Sequence, residues 1–157
     1  MEELHLIFEE LLIEAQENGI AVLELPLKSS DGRNKGNRIA IRKNIPTLRE
    51  KKCVLAEELG HYQLTVGNIL NQEIAENRKQ EYKARVWGYN KLVGLEGIIS
   101  AFKNKCTNLY EVAEFLDVTE EFLINSIHHY NSKYGLYTTI DKYIIYFEPS
   151  LAVVELF

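Results

Sequence analysis

Three side chains near the middle of the chain, Glu57, Glu58 and His61, have the types and spacing that could support chemistry. Residues four apart lie on one face of a helix, so Glu57 and His61 project together and Glu58 lies beside them. This is the geometry of the H-E-x-x-H motif, in which two side chains hold zinc and the glutamate acts as general base. Here Glu57 replaces the first histidine. Paired glutamates and a histidine are also common on solvated helices, so the spacing alone is a weak signal.

The surroundings make the motif more specific. Residues 55–62 read LAEELGHY and follow two expected strands and an expected capped helix start. This arrangement resembles the ImmA/IrrE-type metallopeptidases of mobile elements and stress regulons, whose usual core reads x-L-A-H-E-L-G-H. The resemblance implies that Glu58 is the general base and that Glu57 and His61 are metal ligands. It also implies an α+β, minimal zincin-like metalloprotease fold, with a short sheet packed on the motif helix and a helical C-terminal half.

The same resemblance implies a third metal ligand on the next helix, within an E-x-x-A-type segment. Glu81 begins such a segment, EYKA, and follows His61 by 20 residues, which allows a loop and a returning helix. A shift of the register by two residues would place Lys83 at that position instead. Glu73 and Glu76 are then the weaker candidates for the third ligand.

The replacement of a histidine by Glu57 changes the expected metal chemistry. A carboxylate is an acceptable zinc ligand, but a Glu/His/Glu set is harder and more anionic than His/His/Glu. Zinc is the implied metal, and manganese and magnesium remain alternatives. Cys53, one turn before Glu57, could add a thiolate, although its place in the helix favours burial in the core. The site is either that of a zinc-dependent endopeptidase or one that has lost catalysis and kept the fold.

The resemblance also implies a biological role. Members of the family cut or otherwise inactivate a helix-turn-helix repressor, commonly encoded next door, so that the genes of a phage or other mobile element are released. By resemblance, the reaction is hydrolysis of one peptide bond in that repressor. Two alternatives remain open: a non-catalytic relative that antagonises the repressor by binding alone, and a nucleic-acid-binding regulator that uses a basic surface.

Charge is unevenly distributed along the chain, whose formal net charge is -5. Residues 28–52 hold nine Lys or Arg against two acids, a net charge of +7, whereas residues 108–130 hold five acids and no Lys or Arg.

Residues 112–123 have the apolar spacing of a helix-turn-helix, but an anionic second helix disfavours DNA binding, because phosphate contacts dominate affinity. The basic stretch is the better candidate for nucleic acid, although it lacks interleaved aromatic residues. It equally suits an acidic segment of a protein substrate.

Length and composition indicate an ordinary globular protein. A chain of 157 residues is expected to form a single domain, with a zincin core over residues 1–93 and a helical extension over residues 94–157 that ends in strands. The acidic start does not resemble a secretion signal, and no apolar run approaches the roughly 20 residues that cross a bilayer. Cys53 and Cys106 form no C-x-x-C pair. The expected location is the cytoplasm, with no membrane partner.

The elements that must position the motif follow from hydrophobic periodicity and turn signals. We expect a helix over residues 4–15, a strand over 20–25, a loop over 28–37 and a strand over 38–42. The motif helix is expected to start at the N-cap Thr47, with Glu50 at capping-box spacing, and to end near residue 66. Helices over residues 72–92, 95–103, 109–115 and 119–134 follow, and strands over residues 143–147 and 151–156 close the chain.

Overall fold

The computed structural model describes residues 6–65 and 74–157, which form two compact units, Leu6–Gly88 and Tyr89–Phe157. The described residues contain six helices and six strands, which confirms the mixed α+β class predicted from the sequence. Expected helix ends at residues 66 and 72 lie outside the described ranges, whereas the helix expected from residue 4 begins at Phe8, because Ile7 is extended and Leu6 is not helical. The division predicted after residue 93 is close to the boundary between the two units, and the expectation of a single domain stays a prediction. Within the described ranges, no helix is both long and apolar enough to cross a bilayer.

The first unit is built around a three-stranded sheet and the motif helix. Its elements are α1 (Phe8–Glu17), β1 (Ala21–Leu25), β2 (Gly32–Lys35), β3 (Arg38–Arg42), α2 (Leu48–Thr65) and α3 (Ile74–Leu92), the last of which ends in the second unit. The strand order is β1-β3-β2, with β1 parallel and β2 antiparallel to β3. The motif helix α2 packs against α1, β2 and β3, so the short sheet lies on the motif helix as predicted.

Apolar periodicity accounts for the core of this unit. Ile39 and Ile41 alternate along β3 and are buried, as are Leu55 and Leu59 on α2 and Leu11 on α1. Burial of each such side chain contributes about 1.5–3 kcal/mol to stability. The sheet and α2 are therefore held together by the same hydrophobic side chains that define their periodicity in the sequence.

The start of α2 is fixed by the predicted cap. The backbone N–H of Glu50 donates to Oγ1 of Thr47 at 3.1 Å, which satisfies one of the free donors of the first helical turn.

Lys52, which the charge count places in the basic stretch, is fully buried, and its Nζ donates to the carbonyl oxygen of Leu6 at 2.6 Å. Lys52 is therefore a structural residue and does not belong to the basic surface.

The second unit consists of three helices and an antiparallel sheet. Its elements are α4 (Gly94–Lys103), α5 (Leu109–Leu116), α6 (Glu120–Tyr134), β4 (Tyr137–Ile140), β5 (Tyr143–Tyr146) and β6 (Ala152–Glu155), with the strand order β4-β5-β6. Asn108 and Thr119 cap α5 and α6. The hydroxyl of buried Tyr130 donates to Oδ1 of Asn90 and accepts the N–H of Gly94, and burial raises the pKa of Tyr130.

Two strands are missing from the sequence prediction. The expectation of a loop over residues 28–37 is wrong for Gly32–Lys35, which forms β2. This strand has no apolar alternation and is held by its ladder to β3 across the two-residue turn at Gly36, where φ is +59°. β4 was not expected either, and it is held in the same way by pairing with β5. β2 owes its conformation to its neighbour rather than to its own sequence pattern, whereas Tyr137–Ile140 consists of residue types with high strand propensity.

Candidate metal centre

The helix α2 presents Glu57, Glu58 and His61 on the part of its surface that borders β2 and α3. Glu57 and His61 are one turn apart, and their side chains are 37% and 16% exposed, respectively. Glu58 is buried, with a relative exposure of 9%. The helix therefore offers two partly accessible donors and one enclosed carboxyl group from a single turn.

The helix α3 brings Glu81 to the same place. Its Oε2 lies 3.3 Å from Nε2 of His61, and one donor atom from each of Glu57, His61 and Glu81 lies within 4.8 Å of the other two. This close approach depends on small residues between the helices, because a Cβ at Gly60 would lie 2.3 Å from the carbonyl oxygen of Ala84. Glycine at position 60 is thus a geometric requirement for the distance between His61 and Glu81.

These three donors fit a divalent metal ion. With bonds of about 2.0–2.2 Å and tetrahedral angles, two ligand atoms on one zinc ion are about 3.4 Å apart. The separation of His61 and Glu81 already matches this value, and a small adjustment of the exposed carboxylates would close the remaining distances. Two carboxylates and one imidazole form a harder donor set than the usual two imidazoles and one carboxylate, so zinc and manganese both suit it.

Glu58 is held in a separate environment beside this group. Nδ2 of Asn34, on β2, donates to Oε2 of Glu58 at 2.7 Å. The backbone of Gly32 lies against the same side chain, since a Cβ at position 32 would be 2.8 Å from Cγ of Glu58. Burial raises the pKa of Glu58, the Asn34 hydrogen bond and His61 oppose that rise, and the carboxylates of Glu57 and Glu81 add to it.

Arg85 is an additional cation at the centre. It lies one turn after Glu81 on α3, and its Nε is 3.6 Å from Oε1 of Glu57. Both side chains of this pair are substantially exposed, so the interaction alone contributes little to stability. The pair matters more for metal binding, because the guanidinium group and a metal ion would compete for the carboxylate of Glu57.

The structure brings together four of the residues singled out from the sequence: Glu57, Glu58, His61 and Glu81. Lys83, the alternative register for the third position, is exposed on α3. Glu73 and the side chain of Glu76 lie outside the described residues. Cys53 is half-buried and does not belong to the group of donor atoms.

Sequence reasoning missed Asn34, Gly32 and Arg85. The first two lie on the strand β2, which has the composition of a loop, so no periodic signal indicated that they face α2. A signal for Arg85 was available, because its spacing of four from Glu81 places both side chains on one face of α3.

Comparison with known families agrees with the site. The sequence matches the family model described as the IrrE N-terminal-like domain, peptidase family M78, over residues 15–128. The match starts in α1 and ends in α6, which is more than two thirds of the chain, and it extends beyond the core expected over residues 1–93. No curated protein gives a significant match. The fold, the motif helix and the family match together establish that this chain belongs to the IrrE N-terminal-like family of metallopeptidase type, as the ImmA/IrrE resemblance predicted.

Proposed function

We propose that the chain is a metal-dependent endopeptidase that cleaves a helix-turn-helix repressor of a phage or other mobile element. The observation that carries the proposal is the convergence of Glu57, His61 and Glu81 within 4.8 Å beside the buried, hydrogen-bonded Glu58. The family match supports peptidase chemistry. The repressor substrate and the zinc ion follow from the ImmA/IrrE resemblance, and the cytoplasmic location is carried over from the composition of the sequence.

The protein's own groups divide the chemistry between them. Glu57, His61 and Glu81 would hold a divalent ion, which when bound supplies a Lewis acid that polarises the scissile carbonyl group. Glu58 takes a proton from the attacking water on its carboxylate and passes that proton to the nitrogen of the leaving amine. Asn34 fixes the orientation of Glu58 by donating to Oε2 of its carboxylate.

A second candidate function has one specific observation in its favour. Glu57 stands where the family's usual motif has an imidazole, and its carboxylate lies beside the positively charged guanidinium group of Arg85. A chain in which Arg85 permanently replaced the metal ion would keep the fold and antagonise the repressor by binding alone. Metal content separates this candidate from the peptidase.

Replacement of Glu58 by glutamine tests the proposal, because it preserves shape and hydrogen bonding while removing the base. Wild type and Glu58→Gln would each be co-expressed with the repressor encoded beside the gene, and intact mass spectrometry would follow the repressor. We expect two discrete fragments with wild type and a loss of cleavage of about 10²–10⁴-fold with Glu58→Gln. Glu17→Gln, an exposed change at the end of α1, is the matched control and should cleave as wild type does. Equal cleavage by Glu58→Gln would contradict the proposed mechanism.

A further inference from the structure

The strand β2 is an edge strand that runs directly beside Glu58. The sheet order β1-β3-β2 leaves the outer edge of β2 without a partner strand among residues 6–65 and 74–157. Gly32 and Asn34, two residues apart and so on one face of β2, both contact Glu58. Unpaired main-chain groups therefore lie next to the proposed proton acceptor.

The opposite face of β2 is cationic. Because side chains alternate along a strand, Arg33 and Lys35 point away from Glu58, and both are exposed. Lys35 lies across from Arg38 of β3, which adds a third exposed positive charge to this face. The cation row is defined here as Arg33, Lys35 and Arg38.

The cation row has no acidic partner among the residues that the structure describes. The nearby carboxylate of Asp31 is bound instead by Arg42, with Nε and Oδ1 2.9 Å apart. Arg33 donates to a neutral group, the hydroxyl of Ser29, at 3.3 Å. Three positive charges thus border an edge that is open to main-chain hydrogen bonding.

We infer that the free edge of β2 binds an extended segment of the protein substrate that carries acidic residues at alternate positions. The inference rests on the proposed peptidase function and names a feature of its substrate. A segment that pairs with β2 places every second side chain on the face of the cation row, about 4.5–5.5 Å from its cross-strand neighbour. Acidic residues at those positions meet Arg33 and Lys35, and the intervening residues face the side on which Glu58 lies.

A peptide fits these observations better than a nucleic acid. The edge offers backbone donors and acceptors at the spacing of a β-ladder, which a polypeptide main chain matches. Binding of single-stranded nucleic acid normally adds aromatic side chains on which bases stack, and β2 contains none. The charge complementarity and the hydrogen-bonding pattern therefore select the same occupant.

The test uses full-length Glu58→Gln protein, so that binding is measured without turnover. Three fluorescein-labelled peptides of about ten residues serve as probes: one alternating Glu with Thr and Val, an isomer with the same residues but all Glu in one block, and an alternating peptide with Lys in place of Glu. Fluorescence anisotropy should show binding of the alternating Glu peptide about tenfold tighter than the Lys peptide and about threefold tighter than the block isomer. Equal affinities for the three peptides would overturn the inference, leaving the cations as a device that keeps the edge soluble.

Charge-reversal variants test whether Arg33 and Lys35 cause the preference for the alternating Glu peptide. The double change Arg33→Glu/Lys35→Glu should abolish the preference for the alternating Glu peptide, and the milder Arg33→Gln/Lys35→Gln should reduce it. The control Lys28→Glu/Lys43→Glu makes the same change in charge at exposed positions outside β2 and should keep the preference. Equal loss in the control would indicate general attraction to the basic stretch and would overturn the inference. Tighter binding of a single-stranded oligonucleotide than of the alternating Glu peptide would overturn it as well.

The two proposals fail in different ways. Hydrolysis by wild type without discrimination among the peptides would retain the peptidase and refute the role of β2. Discrimination by Glu58→Gln without any hydrolysis by wild type would support β2 as a binding edge and refute the peptidase. Thermal unfolding of each variant, compared with wild type, checks that the substitutions leave the fold intact.

Discussion

Glu58 differs from its neighbours because β2 encloses it. Asn34 donates to its carboxylate, the backbone of Gly32 lies against its Cγ, and Glu57 and Glu81 add negative charge nearby. The motif in the sequence predicts Glu58 as the general base. The enclosure joins residues 24 positions apart, so it depends on tertiary structure and could not be predicted from a local pattern.

Substitution of Gly32 by alanine should impair catalysis with little damage to the fold. The added Cβ would lie 2.8 Å from both Cγ and Oε1 of Glu58, and the flexible carboxyl group would move away rather than the backbone. Since a displacement of about 1 Å can cost about a hundredfold in rate, we expect hydrolysis to fall by about that factor. Steady-state cleavage of the repressor would measure the loss. Metal content is the internal control and should be unchanged, so full activity in Gly32→Ala would show that the position of Glu58 is unimportant.

Glu57 is the residue at which this chain departs from the usual motif of its family. Its carboxylate pairs with Arg85, so a metal ion would have to compete with that guanidinium group. Glu57 was predicted as a ligand from its spacing of four from His61 and from the resemblance, and the structure adds the competing cation.

Replacement of Glu57 by histidine should tighten zinc binding. The change restores two imidazoles and one carboxylate, lowers the negative charge of the site and removes the partner of Arg85. Competition with a chromogenic chelator would measure the zinc dissociation constant, which we expect to fall by about tenfold or more. Arg85→Gln, which removes the competing cation and keeps Glu57, should shift it in the same direction. Weaker zinc binding by Glu57→His would contradict the assignment of position 57 as a ligand.

Two glycines, Gly60 and Gly88, lie at the contact between α2 and α3. A Cβ at Gly60 would lie 2.3 Å from the carbonyl oxygen of Ala84, whereas a Cβ at Gly88 would lie 3.5–3.6 Å from atoms of Ala56. The first contact is impossible without moving the backbone, and the second is ordinary van der Waals contact. Only Gly60 therefore sets the distance between the two helices.

Alanine at these positions should give opposite results. Gly60→Ala should separate α2 from α3, lower the free energy of unfolding by about 1–3 kcal/mol and weaken metal binding, because Glu81 would move away from His61. Gly88→Ala should change the free energy of unfolding by less than about 1 kcal/mol, since improved helix propensity offsets any small contact strain. Urea unfolding and zinc titration of both variants would measure these effects. Equal stability of the two variants would show that the helix contact does not depend on Gly60.

Helices and strands with a local signal in the sequence were predicted, whereas a strand that depends on pairing with a neighbour was not. The sequence predicted α2 correctly because Thr47 and Glu50 provide a local cap, and β3 because Ile39 and Ile41 alternate with polar residues. It failed for β2, whose residues Gly32–Lys35 are polar and acquire strand conformation only through pairing with β3. The failure matters for the proposed function, because this strand carries Asn34, which donates to the proposed general base Glu58.

The family could be predicted from a small part of the chain. Residues 55–62 and the segment beginning at Glu81 carried the resemblance, yet the family match extends to residue 128. The additional length covers α4, α5 and most of α6, which contribute buried apolar side chains that include Ile98 and Val112. Buried apolar side chains of this kind serve packing and form no catalytic motif. The extension of the family match to residue 128 therefore could not be inferred from motifs.

Charge also differs between the two units. By sequence, residues 6–88 have a formal net charge of +1 and residues 89–157 a net charge of -4. The count of nine Lys or Arg over residues 28–52 overstates the basic surface. Lys52 is buried, Lys51 pairs with Glu24 and Arg42 pairs with Asp31. Three of the exposed cations that remain in the basic stretch, Arg33, Lys35 and Arg38, form the cation row, where the inferred substrate segment would bind.

Elemental analysis of untagged protein, purified and then dialysed after exposure to zinc, tests whether Glu57, His61 and Glu81 form a metal centre. We expect about one zinc ion per chain in wild type, because the three donors Glu57, His61 and Glu81 converge on one point. Alanine at any one of these positions should abolish stoichiometric binding. Glu58→Gln and Lys83→Ala, an exposed change on α3, should retain the metal. Wild-type protein that holds no metal, or His61→Ala protein that holds as much as wild type, would contradict the assignment of this site as a metal centre.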